Sequence, residues 1–316
     1  MEPDRPTIGG YGMTQFQRGY SAQEEEISQL MGEALELFRS GSLDRARRKG
    51  EQAITLCRDL AAAEPDDPQH RRVLASLLYN HAVILNGMDR RSAALAAIQE
   101  ASRLYEELVA IDPAAFEPLY ADAQTRLGAT YTGLGRTEDA VACHRRAVTT
   151  FLSLPPDVAV ERGVARAMSL LASSLEVDDR PDEAMAAAGD ALRRFADLDA
   201  RDQLPLESAG LYALTARTLA RLYARGADYE AAAGTSAVAV SVYQLLLEQV
   251  SPEWGDQLAA AVGERATYLS AAGRPEEGLD QARDVLRVVR TLDEQKPDTY
   301  LIAFTRLAAV VATLEA

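Results

Sequence analysis

The chain has 316 residues, of which 47% are hydrophobic but only 6% aromatic, and its formal charge is −15. This is enough apolar material for a sizeable core, and a core of Ala, Leu and Val suits closely packed helices better than strands. The acidic balance argues against nucleic acid or an anionic membrane as partner, and no run reaches the roughly 20 apolar residues of a bilayer span.

In chain order, residues 1–22 hold many Gly, Tyr and Gln with two prolines and read as a flexible tail. Their aromatics Tyr11, Phe16 and Tyr20 leave a second reading open, docking into the groove of this or a neighbouring copy. The start lacks the basic and apolar regions of a secretory signal, so a cytoplasmic location is expected. From residue 23 one phrase recurs as RSGSLDRA, NGMDRRSA, GLGRTEDA, VDDRPDEA, ARGADYEA and AAGRPEEG. It marks the small residues Ala46, Ala94, Ala140, Ala184, Ala232 and Gly278, spaced by 48, 46, 44, 48 and 46 positions. A period of this size signals stacked repeats.

Prolines at 65, 113, 155, 205, 252 and 297 alternate with the phrases and sit in polar breaks where helices should end. Each interval carries apolar residues at helical spacing, such as Ala94, Leu95, Ile98, Ala101, Leu104, Tyr105 and Leu108. The predicted unit is helix A, tight turn, helix B, longer turn. Six units span 23–66, 67–113, 114–156, 157–205, 206–252 and 253–297, and 298–316 reads as a last A-type helix that caps the stack. Pro181 and Pro275 fall in the first turn of a B helix, where proline fits.

Within each unit, small and large residues follow a fixed pattern. The third gives Leu127, Gly128, Tyr131, Gly135, Ala140 and Ala147, and the second Leu78, Ala82, Leu85, Ala94, Ile98 and Ala101. In this the chain resembles the tetratricopeptide repeat (TPR) family, in a long form similar to actinobacterial arrays. It departs from the family in lacking the repeat tryptophan and in Val285, which replaces a small residue. The resemblance implies an all-α, right-handed superhelical solenoid of six helix-turn-helix repeats with a C-terminal capping helix. It implies non-catalytic binding of a protein or peptide in a concave groove lined by the A helices.

Chemistry finds little support. No serine-elbow, zinc-protease or phosphate-loop motif is present, and neither cofactor nor metal is expected. His81 and His144 read as core residues, and Cys57 and Cys143 lie about two repeats apart with no disulfide framework. The resemblance assigns to the groove Tyr79, Asn80, Asn86, Arg126, Arg166, Ser169, Arg217, Arg221 and Arg225, with Arg306 extending the strip. Arg217, Arg221 and Arg225 share one helix face at four-residue steps and repel one another, by about 0.2–0.5 kcal/mol per pair. Two accounts remain: carboxylates such as Glu176, Glu207 and Glu264 neutralise them, or they await an anionic segment of a partner protein or peptide. On the second, reversing Arg217 and Arg221 to Glu removes binding without unfolding. The rival readings are a peptide- or ligand-sensing regulator and an accessory scaffold for a biosynthetic enzyme, and a homodimer stays open.

Overall fold

Each recurring phrase becomes the turn between two antiparallel helices. In this computed structural model, which describes residues 22–64 and 67–315, α1 (Ala22–Arg39) precedes α2 (Leu43–Ala63), and α3 (Pro68–Gly87) precedes α4 (Arg91–Val109). Next come α5 (Pro113–Gly133) with α6 (Thr137–Ser153) and α7 (Val158–Val177) with α8 (Pro181–Ala200). The last pairs are α9 (Leu206–Arg225) with α10 (Tyr229–Gln249) and α11 (Gly255–Ala271) with α12 (Pro275–Gln295), followed by α13 (Leu301–Glu315). Among the described residues there are thirteen α-helices, one short 3-10 turn at Pro252–Trp254 and no strand. The expected tail lies outside the described residues except for Ala22, as do Pro65 and Asp66.

The six tight turns share one backbone device. Five residues before each recurring small residue, φ is positive: 78° at Gly41, 57° at Asp89, 71° at Gly135, 54° at Asp179, 61° at Ala227 and 80° at Gly273. The next residue's N–H donates to a carbonyl five positions back in every case, as Ser42 to Leu37 at 2.8 Å and Arg180 to Leu175 at 3.0 Å. The left-handed residue itself donates one turn back, as Gly135 to Thr132 at 3.0 Å. This is the Schellman closure, which satisfies the orphan carbonyls at a helix end and reverses the chain. Glycine adopts that φ freely, and Asp tolerates it through local hydrogen bonding. Ala227 has neither advantage.

The small residues sit where paired helices approach. Ala46, Ala94, Ala140, Ala184 and Ala232 are fully buried. At the sixth position a Cβ on Gly278 would stand 3.0 Å from the Ala266 Cα, so α11 and α12 are too close there for even a methyl group to enter without a shift. Proline at the first position of α3, α5, α8 and α12 opens those helices with a fixed φ and no wasted N–H.

The chain forms two compact units, one ending at Ala167 and one beginning at Met168, so the division falls within α7. In the first, Met31, Ile84, Ile98, Leu108 and Phe151 are among the largest fully buried side chains. In the second, Phe195, Leu198, Leu222, Leu246 and Leu258 fill the same role. One expectation needs correction: α10 is long and apolar enough to cross a bilayer. Its 21 residues contain only Glu230 and Glu248 as charged groups. Packing supplies the reason, since α9 and α11 flank it and bury Ala232, Val240, Tyr243, Leu246 and Leu247.

Candidate partner-binding face

The residues assigned to the groove all lie on odd-numbered helices. Side chains at i, i+4 and i+7 on one helix share a face, and on α9 that face runs through Leu211, Leu214, Arg217 and Arg221. All four are part-buried, while the positions between them point into the core.

In the unit that ends at Ala167, α3 places Tyr79, Asn80 and Asn86, α5 places Arg126, and the N-terminal half of α7 places Arg166. Asn86 Nδ2 donates to Thr130 Oγ1 at 3.1 Å. The Arg126 guanidinium lies over the Tyr79 ring, 5.8 Å from its centroid. Arg166 pairs with Asp122 of α5. Burial pushes the Asp122 carboxyl above the ordinary range, against the opposing pull of Arg166 and Arg126.

In the unit that begins at Met168 the arginine stripe is compensated. Arg221 donates from Nε and Nη2 to Glu176 at 3.1 and 2.9 Å. Arg217 makes the same two-pronged contact with Glu264, at 3.0 and 2.5 Å. Arg225 Nη2 reaches Asp179 Oδ1 at 2.9 Å, and Arg306 Nε lies 3.3 Å from Asp256 Oδ1. Burial works against the Arg217 charge, but the Glu264 hydrogen bonds and charge outweigh it and hold its pKa above the ordinary value. Of the two accounts of this stripe, the neutralising carboxylates are present: Glu176 and Glu264 as expected, with Asp179 where Glu207 had been named. Ser169 is 1% exposed and shares a hydrogen bond of 2.6 Å with Thr215 Oγ1. It faces α9 and is not open to a partner, which corrects its placement on the accessible face.

One regularity links these contacts. Asp122 and Arg166 are 44 positions apart, Glu176 and Arg221 45, Asp179 and Arg225 46, and Arg217 and Glu264 47. Each is close to one repeat: three join an odd-numbered helix to the next one, and Arg225 of α9 reaches Asp179 in the turn after α7. The partners Asp122, Asp179 and Asp256 escaped the sequence reading, although that spacing was the signal that finds the first two. Even-numbered helices behave otherwise, with many arginines paired inside their own helix: Arg47–Glu51, Arg103–Glu107, Arg193–Asp190 and Arg290–Glu294.

The other reactive groups are held inert. Burial pushes the Cys57 and Cys143 thiols up to about 11, far from a reactive thiolate at neutral pH. Burial takes His144 down to about 4, and a hydrogen bond to the Thr125 backbone opposes this only in part. Glu64, Asp67 and His70 bring donor atoms within 4.8 Å of one another, a set that could hold a metal ion. Asp67 Oδ1 already caps α3 by accepting from the Gln69 N–H at 2.8 Å, and His70 Nδ1 lies 3.5 Å from the Glu64 carbonyl. A cavity of about 150 Å³ lined by Gln23, Leu56, Asp59, Leu60 and Ala63 falls below the few hundred Å³ of ordinary small-molecule sites.

Comparison with known proteins supports the fold. Residues 121–151, most of α5 and α6, match the tetratricopeptide repeat family. No protein of curated function matches the chain. Among solved structures it is similar to BtubC (BKLC) from P. vanneervenii, at 19% identity over 86% of this chain and 93% of that one, TM-score 0.58. It is similar to PilF from Pseudomonas aeruginosa, at 13% identity over 92% and 99%, TM-score 0.54. NprR in complex with its cognate peptide NprX aligns at 12% identity over 95% and 73%, TM-score 0.50. With six Schellman-turned helix pairs, a recognised repeat at 121–151 and these neighbours, the chain is a repeat protein with the tetratricopeptide fold.

Proposed function

We propose that the chain is a non-catalytic scaffold that holds a peptide, or an extended segment of a partner protein, on the accessible face of its odd-numbered helices. The observation that supports this reading is the polar pairing between successive odd-numbered helices. Those contacts set guanidinium, carboxylate, amide and hydroxyl groups in fixed positions before any partner arrives, and a preformed array lowers the ordering cost of binding. Extended peptides suit such a face because their backbone groups need donors and acceptors at intervals along the chain. The neighbour NprR is described with a bound peptide, which is a property of that protein and accords with the reading without carrying it.

Panning immobilised protein against a display library of random decapeptides tests the proposal. Enriched sequences that bind saturably as free synthetic peptides support it. A library that emerges unenriched after repeated rounds contradicts it.

A further inference from the structure

The charge balance of the polar face is uneven. Arg217, Arg221 and Arg225 each have a carboxylate of their own within 3.0 Å. Among Arg126, Arg166 and Asp122 the count differs, with two guanidinium groups for one carboxylate. Arg166 takes that carboxylate, whose side chain is 9% exposed and so is closed to further partners. Arg126 is left without an ion pair among the described residues. Its one side lies over Tyr79, and its Nε is buried with no hydrogen-bond partner. On a chain of net charge −15, an arginine without an ion pair, held over an aromatic ring, is a local surplus of positive charge.

A guanidinium presents donors in a planar fork that matches the two oxygens of a carboxylate. A ring beneath it fixes the plane of that fork without using its donors. The part-buried setting makes an ionic hydrogen bond stronger than on an open surface. We propose that Arg126, held over Tyr79 and flanked by Arg166, receives a carboxylate group of the bound peptide. This rests on the peptide-binding reading above and moves its anion-recognition point from the α9 stripe to α5. The Asp122–Arg166 pair then has a positioning role, keeping the second guanidinium beside the first while leaving one positive charge in excess. Two sources of the carboxylate share this chemistry, an Asp or Glu side chain and the peptide C-terminus.

The test uses arrayed synthetic decapeptides of random sequence, probed with wild-type protein, Arg126→Met and, as a control away from the odd-numbered helices, Arg193→Met, whose exposed guanidinium pairs with Asp190 inside α8. Met keeps most of the apolar stem of Arg126, and thermal melting checks that each variant is folded. Each retained peptide is resynthesised with Asp and Glu changed to Asn and Gln, and separately with an amidated C-terminus. The expected result is that one of these two changes, and Arg126→Met, each weaken binding by about tenfold or more. Arg193→Met is expected to leave affinity within about threefold, and Arg126→Lys to restore part of the loss. Retained peptides that lose nothing on neutralisation, or that bind Arg126→Met as wild type, overturn the carboxylate site and leave the scaffold reading standing. An array that retains no peptide at all overturns both.

Discussion

Arg221 of α9 holds Glu176 of α7 with two hydrogen bonds, 3.1 and 2.9 Å long, between residues 45 positions apart. Fork-to-carboxylate contact of this kind has defined geometry and depends on both charges. With Arg217–Glu264 beside it, the stripe that looks cationic in sequence is an alternating ladder. The double reversal Arg217→Glu with Arg221→Glu would place four carboxylates together, so it unfolds or loosens the unit and cannot report on binding alone.

The first prediction follows from that pair. Arg221→Glu is expected to lower stability by about 1–3 kcal/mol, because it leaves a part-buried carboxylate facing another. Adding Glu176→Arg is expected to recover at least half of the loss, since the pair is re-formed in the opposite sense. Urea unfolding of the two singles and the double measures this. Additive losses in the double contradict the ladder.

A second prediction concerns the tight turns. Ala227 takes φ 61° where three of its five counterparts are glycine. A left-handed conformation costs an L-residue roughly 1–2 kcal/mol, and glycine gives back part of that gain as entropy of the unfolded chain. Ala227→Gly is therefore expected to stabilise by about 0.5–1 kcal/mol, while Gly135→Ala and Gly273→Ala destabilise by about 1 kcal/mol. Denaturant midpoints decide, and a loss of stability in Ala227→Gly is the contrary result.

His144 supplies a pH prediction. Its ring is 1% exposed and fills the space over Gly128, where a Cβ would come within 2.4 Å of Cδ2 and Nε2. Burial lowers its pKa from 6.5 to about 4. The sign follows from proton uptake. Below about pH 6.5 the unfolded chain binds a proton that the native state refuses, so stability falls as pH drops toward 4 and this group adds nothing further below that. The full difference is on the order of 3 kcal/mol. His81 is lowered for the same reason, burial, and acts in the same direction. His144→Gln is expected to flatten the profile between pH 6.5 and 4, relative to its own stability at pH 7.5. An unchanged slope rejects His144 as its source.

The packing of the sixth turn gives a fourth. Gly278→Ala adds a methyl group 3.0 Å from a backbone atom of α11, and the helices must separate to admit it. A loss of about 1–3 kcal/mol is expected, whereas Gly234→Ala, with nothing within 4 Å, is expected to be neutral or stabilising because alanine favours helix. Comparison of the two melting temperatures tests the close approach.

Much of this architecture was legible because its signals are local. A small residue, a turn phrase and a proline each act within a few positions, so their period located six helix pairs and the helix after them. The α10 composition was misjudged for a related reason: a helix covered by α9 and α11 on two sides becomes apolar around most of its surface. The polar face was less legible. Arg217, Arg221 and Arg225 fall at groove positions, but their charge state as a group depends on Glu264, Glu176 and Asp179, one repeat away. Whether Ser169 is open or buried depends on how α7 rotates against α9, and periodicity fixes that angle only loosely. Arg126 stood out in sequence no more than its neighbours. Its distinction lies in what it lacks.

Site-specific photo-crosslinking tests most directly whether peptides lie on the odd-numbered helices. A photoreactive residue would be placed at the exposed positions Ser76 of α3 and Thr267 of α11, and in controls at Glu107 of α4 and Arg193 of α8. Peptides selected from the decapeptide library would then be added at a concentration near their Kd. Crosslinks are expected from one or both odd-helix positions, with background yields from the controls. Yields from Glu107 or Arg193 that equal or exceed those from Ser76 and Thr267 would contradict that placement.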